Sequence, residues 1–526
     1  MTLAVSKKNI LLGSISIIHT NWLPYAAGCL ISYCKKIPEI DEQFKFLNPI
    51  YKHKPLKYYK KLLETVDIFG LTCYVWNQAY NDKLAAYFKE INPDGIVLFG
   101  GPQIPDDPIL KAQFDLDRPF LTESIAGMGE IAFSEYLLNI PYTNARLKDV
   151  PTPYTDGVFD EMLNSKDKFK VSFETNRGCP YSCAFCDWGG QAKSKLDIFD
   201  INNIHDTIRY IYKHDNILEV EILDANFGIL NRDESIIDYM ISTQEELNNY
   251  LKISYSGLAK NGSKSLTAIM KKIVNNLPVD QRNLKISFQT HTQEVLNNIL
   301  RHNIKNEKLL PMIEEFKKEG IPSTAEMIIA LPGETADSWL KSLDTNYTLG
   351  IDYIRTYFLH LVSNIEMTKQ SYKDKFNIKT KIIDIHGQEF EIMHRYLDME
   401  LEDYVKMFDY HWFYHNLVNS DILKPHINNI YYDCLVFFAK LKEMPEIEKI
   451  INDHRDLVRR IFADEPKTLL KNPLEGMFFS ATMRLDDVER IMKNPKVHEE
   501  LENHFNIKFD LNWECEFPRR VLAVVT

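Results

Sequence analysis

Nowhere in the 526 residues is there an uninterrupted apolar run of the roughly 20 residues that a membrane-spanning helix needs. The start, MTLAVSKKNILLGSISII, passes straight into a strand-like segment without a small-residue cleavage site, so neither membrane insertion nor secretion is expected and a cytoplasmic location follows. Positive charge is in deficit: 62 Lys and Arg face 74 Asp and Glu, a net charge of -12, which argues against DNA or RNA as the partner. Cysteine is sparse as well. The eight cysteines are scattered, unlike the framework of a small disulfide-stapled domain, and only Cys179, Cys183 and Cys186 cluster, which points to metal or redox use. Internal repeats, low-complexity tracts and coiled-coil heptads are absent. What remains is an ordinary globular composition, 45% hydrophobic and 26% charged, long enough to bury more than one core.

Residues 1–140 alternate short apolar runs with amphipathic ones: NILLGSISII, WLPYAAGCLISYCKK, VDIFGLTCYV, NDKLAAYFKEI, GIVLFGG, FLTESIAG and EIAFSEYLL. This alternation predicts an α/β fold with a doubly wound, Rossmann-like parallel sheet, whose ligands bind beyond the carboxyl ends of the strands. Those loops are LTCYVWN, GGPQIP and AGMGE, where Gly100, Gly101, Gly127 and Gly129 either let backbone approach a ligand or simply end strands. Residues 141–170, rich in proline and polar groups, read as a linker. From 171 to 365 the runs KVSFETN, EVEILDANFG, KISYSGLA, LKISFQT, TAEMIIALP and YIRTYFLHL alternate with helical segments, which suits a partial (β/α)6 barrel. Residues 366–526 read as a mainly helical cap dense in aromatics. In it Tyr410, His411, Trp412, Phe413 and Tyr414 cannot all face one side of a helix, so several must serve packing.

The segment FETNRGCPYSCAFCDWGG follows the first strand of the second region. Three thiolates at this spacing can bind three irons of a 4Fe–4S cubane and leave the fourth iron without a protein ligand. A structural zinc would want a fourth Cys or His close by, and none follows. The motif resembles that of the radical S-adenosylmethionine (SAM) superfamily, and Phe185, just before the last cysteine, matches its pattern. The resemblance implies that SAM chelates the fourth iron and is cleaved to a 5′-deoxyadenosyl radical. The superfamily's Gly-Gly-Glu for the SAM amine is missing. In its place stands Leu223-Asp224-Ala225-Asn226, where Asp224 either accepts the ammonium or is a structural strand-end carboxylate. Ser287 and Gln289 on the fourth strand, Glu326 on the fifth and backbone near Phe185 sit where such proteins contact SAM. Glu326 is otherwise a solvated strand-end residue.

A doubly wound domain ahead of such a barrel resembles the cobalamin-binding radical SAM class over about residues 5–365. CDWGG, DANFGI and ALPGET look most like its peptide and natural-product methyltransferases. Cobalamin is the implied cofactor, held by Thr72, Tyr74 and Trp76, by Gly100, Gly101 and Pro102, and by Gly127, Gly129 and Glu130. The Asp-x-His-x-x-Gly of other cobalamin modules is absent. Ile17-Ile18-His19-Thr20-Asn21-Trp22 occupies its place, so His19 lacks the orienting partners of an axial ligand, and Asp384-Ile385-His386-Gly387 lies outside the domain with the wrong spacing. Trp76 is the candidate for the lower cobalt face, its alternative being a Trp packed between domains. The resemblance implies methyl transfer from methylcobalamin to a carbon of a peptide or small natural product, with a flavodoxin- or ferredoxin-type electron donor. The alternatives are a non-methylating rearrangement or cyclisation on the same cofactors, or a non-catalytic zinc-binding module. His360 and Tyr357 would face the cavity by strand alternation, without a catalytic role.

Overall fold

The first apolar run, Lys8–Gly13 (β1), is buried from Ile10 onward, as a strand covered on both faces must be. In the computed structural model it is joined in parallel by Phe44–Phe46 (β2), Ile68–Thr72 (β3), Ile96–Gly100 (β4) and Glu123–Ile125 (β5), in the order β2-β1-β3-β4-β5. Helices Tyr25–Lys35, Gln78–Ile91, Pro108–Leu116 and Gly129–Leu138 alternate with these strands, and Leu11, Phe69, Phe88, Val97 and Phe99 are fully buried among them. The expected doubly wound sheet is present. Its strand order reverses between β1 and β3, which places the ligand crevice at their carboxyl ends.

One side chain fastens that edge. Buried Asn77 donates to the Ile15 carbonyl beyond β1 (3.1 Å) and to the Thr72 carbonyl of β3 (3.0 Å), and accepts from the Tyr74 amide (2.8 Å). Gly101, after β4, has φ +107°, and a Cβ there would lie 2.9 Å from the Cys73 carbonyl oxygen. Only glycine lets the two loops approach this closely.

The structure describes residues 7–16, 21–143, 145–147, 151–188, 195–255, 266–385, 388–416, 443–463 and 467–470, with isolated positions at 439, 494–496, 499 and 502–503. No helix among them is long and apolar enough to cross a membrane. The chain divides into two units. The first comprises Met1–Ser182, Cys186–Ile269 and Val362–Thr368, and the second Cys183–Phe185, Met270–Leu361 and Lys369–Thr526.

Besides the sheet already described, the first unit holds Phe169–Phe173 (β6), the antiparallel pair Asn176–Gly178 (β7) and Leu196–Ile198 (β8), then Ile217–Ile222 (β9) and Lys252–Tyr255 (β10). Strands β10-β9-β6 form a parallel sheet, with helices Ile201–Tyr212 and Asp233–Leu247 between its strands in sequence. The helix at 201 buries Ile204, Ile208 and Ile211 at the i, i+4, i+7 spacing of one helix face. The proline-rich stretch whose composition reads as a linker is packed: Tyr154 and Phe159 are fully buried, and the Tyr154 hydroxyl donates to the Ser172 carbonyl (2.7 Å). The Leu23 amide donates to the Lys170 carbonyl (2.9 Å) and the Lys170 amide to the Asn21 carbonyl (3.0 Å), so the amino-terminal segment pairs directly with β6.

In the second unit, Leu284–Gln289 (β11), Ser323–Ile329 (β12) and Tyr353–Phe358 (β13) form a parallel sheet in the order β11-β12-β13. His360–Leu361 (β14), Lys379–Ile385 (β15), Gln388–Arg395 (β16) and Lys467–Leu470 (β17) make a second sheet, ordered β14-β16-β15-β17. The region past 365 was expected to be mainly helical. Helices Leu401–Asn416 and Pro445–Phe462 are there, but the antiparallel pair β15/β16 precedes them, because Thr380, Ile382, Ile383 and Phe390 favour the pleated conformation. Tyr410, Trp412, Phe413 and Tyr414 are all buried on the first helix and serve its packing.

Candidate active site

The cysteine loop begins at β7, and three residues before its first thiol the chain is held rigidly. Asp224, directly after β9, is 1% exposed and accepts from the Thr175 amide (2.7 Å), the Asn176 amide (3.3 Å), the Asn176 side-chain nitrogen (2.5 Å) and the Thr175 hydroxyl. Burial pushes its carboxyl up to about 7 against the pull of these donors. Its oxygens are thus engaged in tying the turn after β9 to the strand that leads into Cys179. Within the same turn the Asn226 side-chain nitrogen donates to Cys179 Sγ at 2.9 Å. Cys179 and Cys183 are buried, and Cys186 is half-buried. Asp187, next to Cys186, has its carboxyl raised to about 6 by burial and then by Asp106. Among the described residues, no three His, Cys, Asp or Glu side chains converge as the ligands of a single ion would.

Arg177, in β7, spans two elements. Its guanidinium meets Glu174 (2.6 Å) and Glu130 (3.0 Å), and both carboxylates are buried. Glu130 opens the helix after the AGMGE loop, so the ion pairs join the last loop of the amino-terminal sheet to the base of the cysteine loop. The loop after β4 is clamped from the other end of the chain. Asn364 donates to the Pro102 (3.1 Å) and Ile104 (2.8 Å) carbonyls and accepts from the Asp106 amide (2.9 Å), while the Ser363 hydroxyl donates to the Gln103 carbonyl (3.0 Å).

At the carboxyl edge of the sheet, Trp76 is 48% exposed and stacked on Tyr74, with ring centroids 4.5 Å apart and an interplanar angle of 11°. Thr72 Oγ1 and Ser124 Oγ are buried without hydrogen-bond partners among the described residues; Thr72 pairs with Gly100 and Ser124 with Phe99 across the strands. Gly100, Pro102, Gly127 and Gly129 lie in the flanking loops, with Gly127 at φ +90°. The residues expected to face cobalamin therefore share one edge of one sheet. His19 lies outside the described residues, as do His386 and Gly387.

In the second unit the Ser287 hydroxyl donates to Glu326 (2.6 Å) and so does the Tyr357 hydroxyl (3.2 Å), across paired strands. Gln289 ends β11 at φ +72°. Arg301, 2% exposed, donates to the Ser287 carbonyl and to Asn303 (3.1 Å), and its guanidinium sits 5.9 Å from the Phe185 ring centroid. The Ala184 amide donates to the Ile299 carbonyl (2.9 Å), which anchors the middle of the cysteine loop to this unit's helix end.

The family model described as Radical SAM superfamily matches residues 173–345, which begin at the end of β6 and include all three clustered cysteines. These residues are a radical SAM domain. The chain is also 29% identical over 390 residues to the cobalamin-dependent radical SAM methyltransferase TokK of Streptomyces tokunonensis, covering 68% of this chain and 56% of that protein. It is 29% identical over 374 residues to the 2-(S-pantetheinyl)-carbapenam-3-carboxylate methyltransferase of Streptantibioticus cattleyicolor, covering 65% and 54%. The matched part of this chain thus spans just over half the length of these relatives. Among solved structures, the cobalamin-dependent SAM radical enzyme OxsB shares the fold over 95% of this chain and 79% of its own, with a TM-score of 0.52 at 13% identity. The radical SAM methyltransferase TsrM of Kitasatospora setae does so over 69% and 74%, with a TM-score of 0.50 at 13% identity.

Several residues of the site escaped the sequence reading. Asn226 and Arg177 stand inside motifs that were singled out, DANFG and TNRGC, but only their neighbours carried family roles. Asn77 and Asn364 gave no local signal, because the carbonyls they clamp include ones 62 and 262 residues away.

His360 sits 4.7 Å from the Phe390 ring and 6.3 Å from that of Phe358, and burial pushes its imidazole down to about 4. An unfolded histidine titrates near ~6.5, so between these values the unfolded chain binds more protons, and stability falls as pH drops through the window while staying flat above it. The residue as a whole is half-buried, which tempers the effect to on the order of 1–2 kcal/mol. Urea denaturation at pH 7.5 and 4.5 should show that much more acid destabilisation in the wild type than in His360→Phe. Equal pH dependence of the two would disprove the assignment.

Proposed function

We propose that this chain is a cobalamin-dependent radical SAM methyltransferase that alkylates a carbon of a peptide or small natural-product substrate. The observation that carries the proposal lies within the first unit, where Arg177, on the strand that runs into Cys179, is paired with Glu130 at the ligand edge of a 2-1-3-4-5 parallel sheet. The likeness to relatives named as cobalamin-dependent methyltransferases supports the same reading. Its parts are a cobalamin domain over 1–140, a radical SAM domain over 171–365 and a cap beyond 365.

The residues present fit the groups this requires. Three thiolates, each on a different iron, need not converge on one point, and Asn226 already donates to the first of them. A large exposed aromatic plate, Trp76 on Tyr74, suits the planar ring of a corrin. When bound, the cluster with SAM supplies a 5′-deoxyadenosyl radical and cobalamin supplies a transferable methyl group.

In this proposal Cys179, Cys183 and Cys186 hold the cluster. Ser287, Gln289 and Glu326, with backbone at Phe185, contact SAM, and the Ser287–Glu326–Tyr357 hydrogen bonds orient the Glu326 carboxylate for that task. Asp224 holds the cysteine strand in register, since its acceptors are filled by Thr175 and Asn176. Thr72, Tyr74, Trp76, Gly100, Gly101, Pro102, Gly127, Gly129 and Glu130 line the cobalamin edge. Asn364 and Ser363 hold the loop after β4 so that its backbone keeps one path, and positioning of this kind is the protein's main contribution to a cofactor reaction. A low-potential flavodoxin- or ferredoxin-type protein provides the electron.

The test is anaerobic purification from cells supplied with iron, sulfide and cobalamin, followed by incubation with SAM, reductant and candidate substrates. About four irons and one cobalamin per chain, with S-adenosylhomocysteine, 5′-deoxyadenosine and a product heavier by one methylene, are expected. Iron and 5′-deoxyadenosine without cobalamin would sink the two-cofactor reading, and both cofactors without S-adenosylhomocysteine would favour a non-methylating rearrangement.

A further inference from the structure

The turn after β9 is built more firmly than a strand-end turn needs. Asp224 pins its start to Thr175 and Asn176. Asp233, fully buried at the head of the next helix, accepts from the Gly228 amide (2.7 Å) and the Leu230 amide (3.0 Å) and so pins its end, where Gly228 adopts φ +90°. Arg232 reaches back to the Thr175 carbonyl (2.7 Å), and Phe227 is fully buried beneath. From this framework the side chain of Asn226, 3% exposed, is directed at the first cysteine of the loop, with its amide nitrogen 2.9 Å from Cys179 Sγ.

We propose that Asn226 is a positioning residue that sets the reduction potential of the cluster by donating an N–H···S hydrogen bond to the Cys179 thiolate. The inference rests on the cluster assignment above. Reduction places an additional electron on the iron–sulfur core and thereby increases negative charge on its sulfurs. A fixed N–H dipole stabilises that charge more in the reduced state than in the oxidised one, and the more so in a site that excludes water. Removing a hydrogen-bond partner of a ligating group commonly costs about 10- to 100-fold in metal affinity or activity. Asn226 raises the potential, and with it the fraction of enzyme that a given electron donor can reduce.

The test uses the full chain, reconstituted without oxygen and without SAM, and follows the cluster by redox titration with electron paramagnetic resonance. Asn226→Leu keeps the volume and removes the donor. It should bind the wild-type amount of iron while its reduction equilibrium constant falls about tenfold, which is a potential about 59 mV lower for a one-electron couple. Asn226→Asp also lacks the N–H, adds negative charge and should fall at least as far. Deuterium exchange should remove from the wild type, but from neither variant, a proton coupling to the reduced cluster. Wild-type potentials in iron-loaded variants would overturn the proposal. So would failure of both variants to load iron, which would assign Asn226 to cluster assembly. Wild-type protein that binds no iron would instead overturn the cluster assignment beneath it.

Discussion

Cys183→Ser and Cys186→Ser are each expected to reduce bound iron from about four per chain to a small fraction of that and to abolish SAM cleavage to 5′-deoxyadenosine. Serine is nearly isosteric, so the loop should keep its path; what is lost is the soft thiolate that iron–sulfur clusters require. Cys183 is buried and Cys186 half-buried, and because serine occupies almost the same space, circular dichroism and the urea midpoint should stay close to those of the wild type. Cys34→Ala is the contrast. That thiol is fully buried in the helix Tyr25–Lys35, with its pKa raised by desolvation, so its loss should cost stability and leave iron untouched. Iron content and cleavage measured in parallel on the three variants decide the matter, and a Cys186→Ser protein with full iron and full cleavage would remove the cluster from this loop.

The parts of the fold that could be read in advance are those carried by local pattern. Five consecutive buried residues in β3, the alternation of strands and helices around it and the glycines at strand ends are properties of short windows. Long-range events were not legible. Proline and polar residues dominate the composition of 141–170, yet Tyr154 and Phe159 within it are core residues because Ser172 and the helix at 201 lie where they can be covered. The strands β15 and β16 were hidden for a related reason, since their apolar residues mix with charges that a helix could equally display. In the site, Asp224 drew attention because carboxylates bind ammonium groups. The structure fills that carboxylate with four internal donors and turns the adjacent Asn226 toward the thiol. Which of two neighbouring polar residues faces inward depends on how Asp233 and Arg232 hold the turn, and no window of sequence contains that information.

Arg177→Met should be the most destabilising of the substitutions considered. Burial by itself would lower the arginine's pKa, yet Glu130 and then Glu174 hold it well above its usual value, a sign that both carboxylates are spent on this one cation. Removing the guanidinium leaves two buried negative charges facing each other without a partner, and breaking a buried pair from one side typically costs about 3–5 kcal/mol. Methionine fills part of the space, so the loss is chiefly electrostatic. Arg177→Lys should recover a fraction only, because one ammonium cannot serve the bidentate contact to Glu174 and reach Glu130 together. A double variant supplies the sign check. Adding Glu130→Gln to Arg177→Met removes one of the two stranded charges and should be more stable than Arg177→Met alone, a coupling of about 1–3 kcal/mol. Urea denaturation gives all four values, and additivity would mean that the ion pairs contribute nothing to holding the AGMGE loop against the cysteine strand. If the coupling is present, iron loading should fall in Arg177→Met and return in part with Glu130→Gln, because the strand that Arg177 steadies runs into Cys179 one residue later.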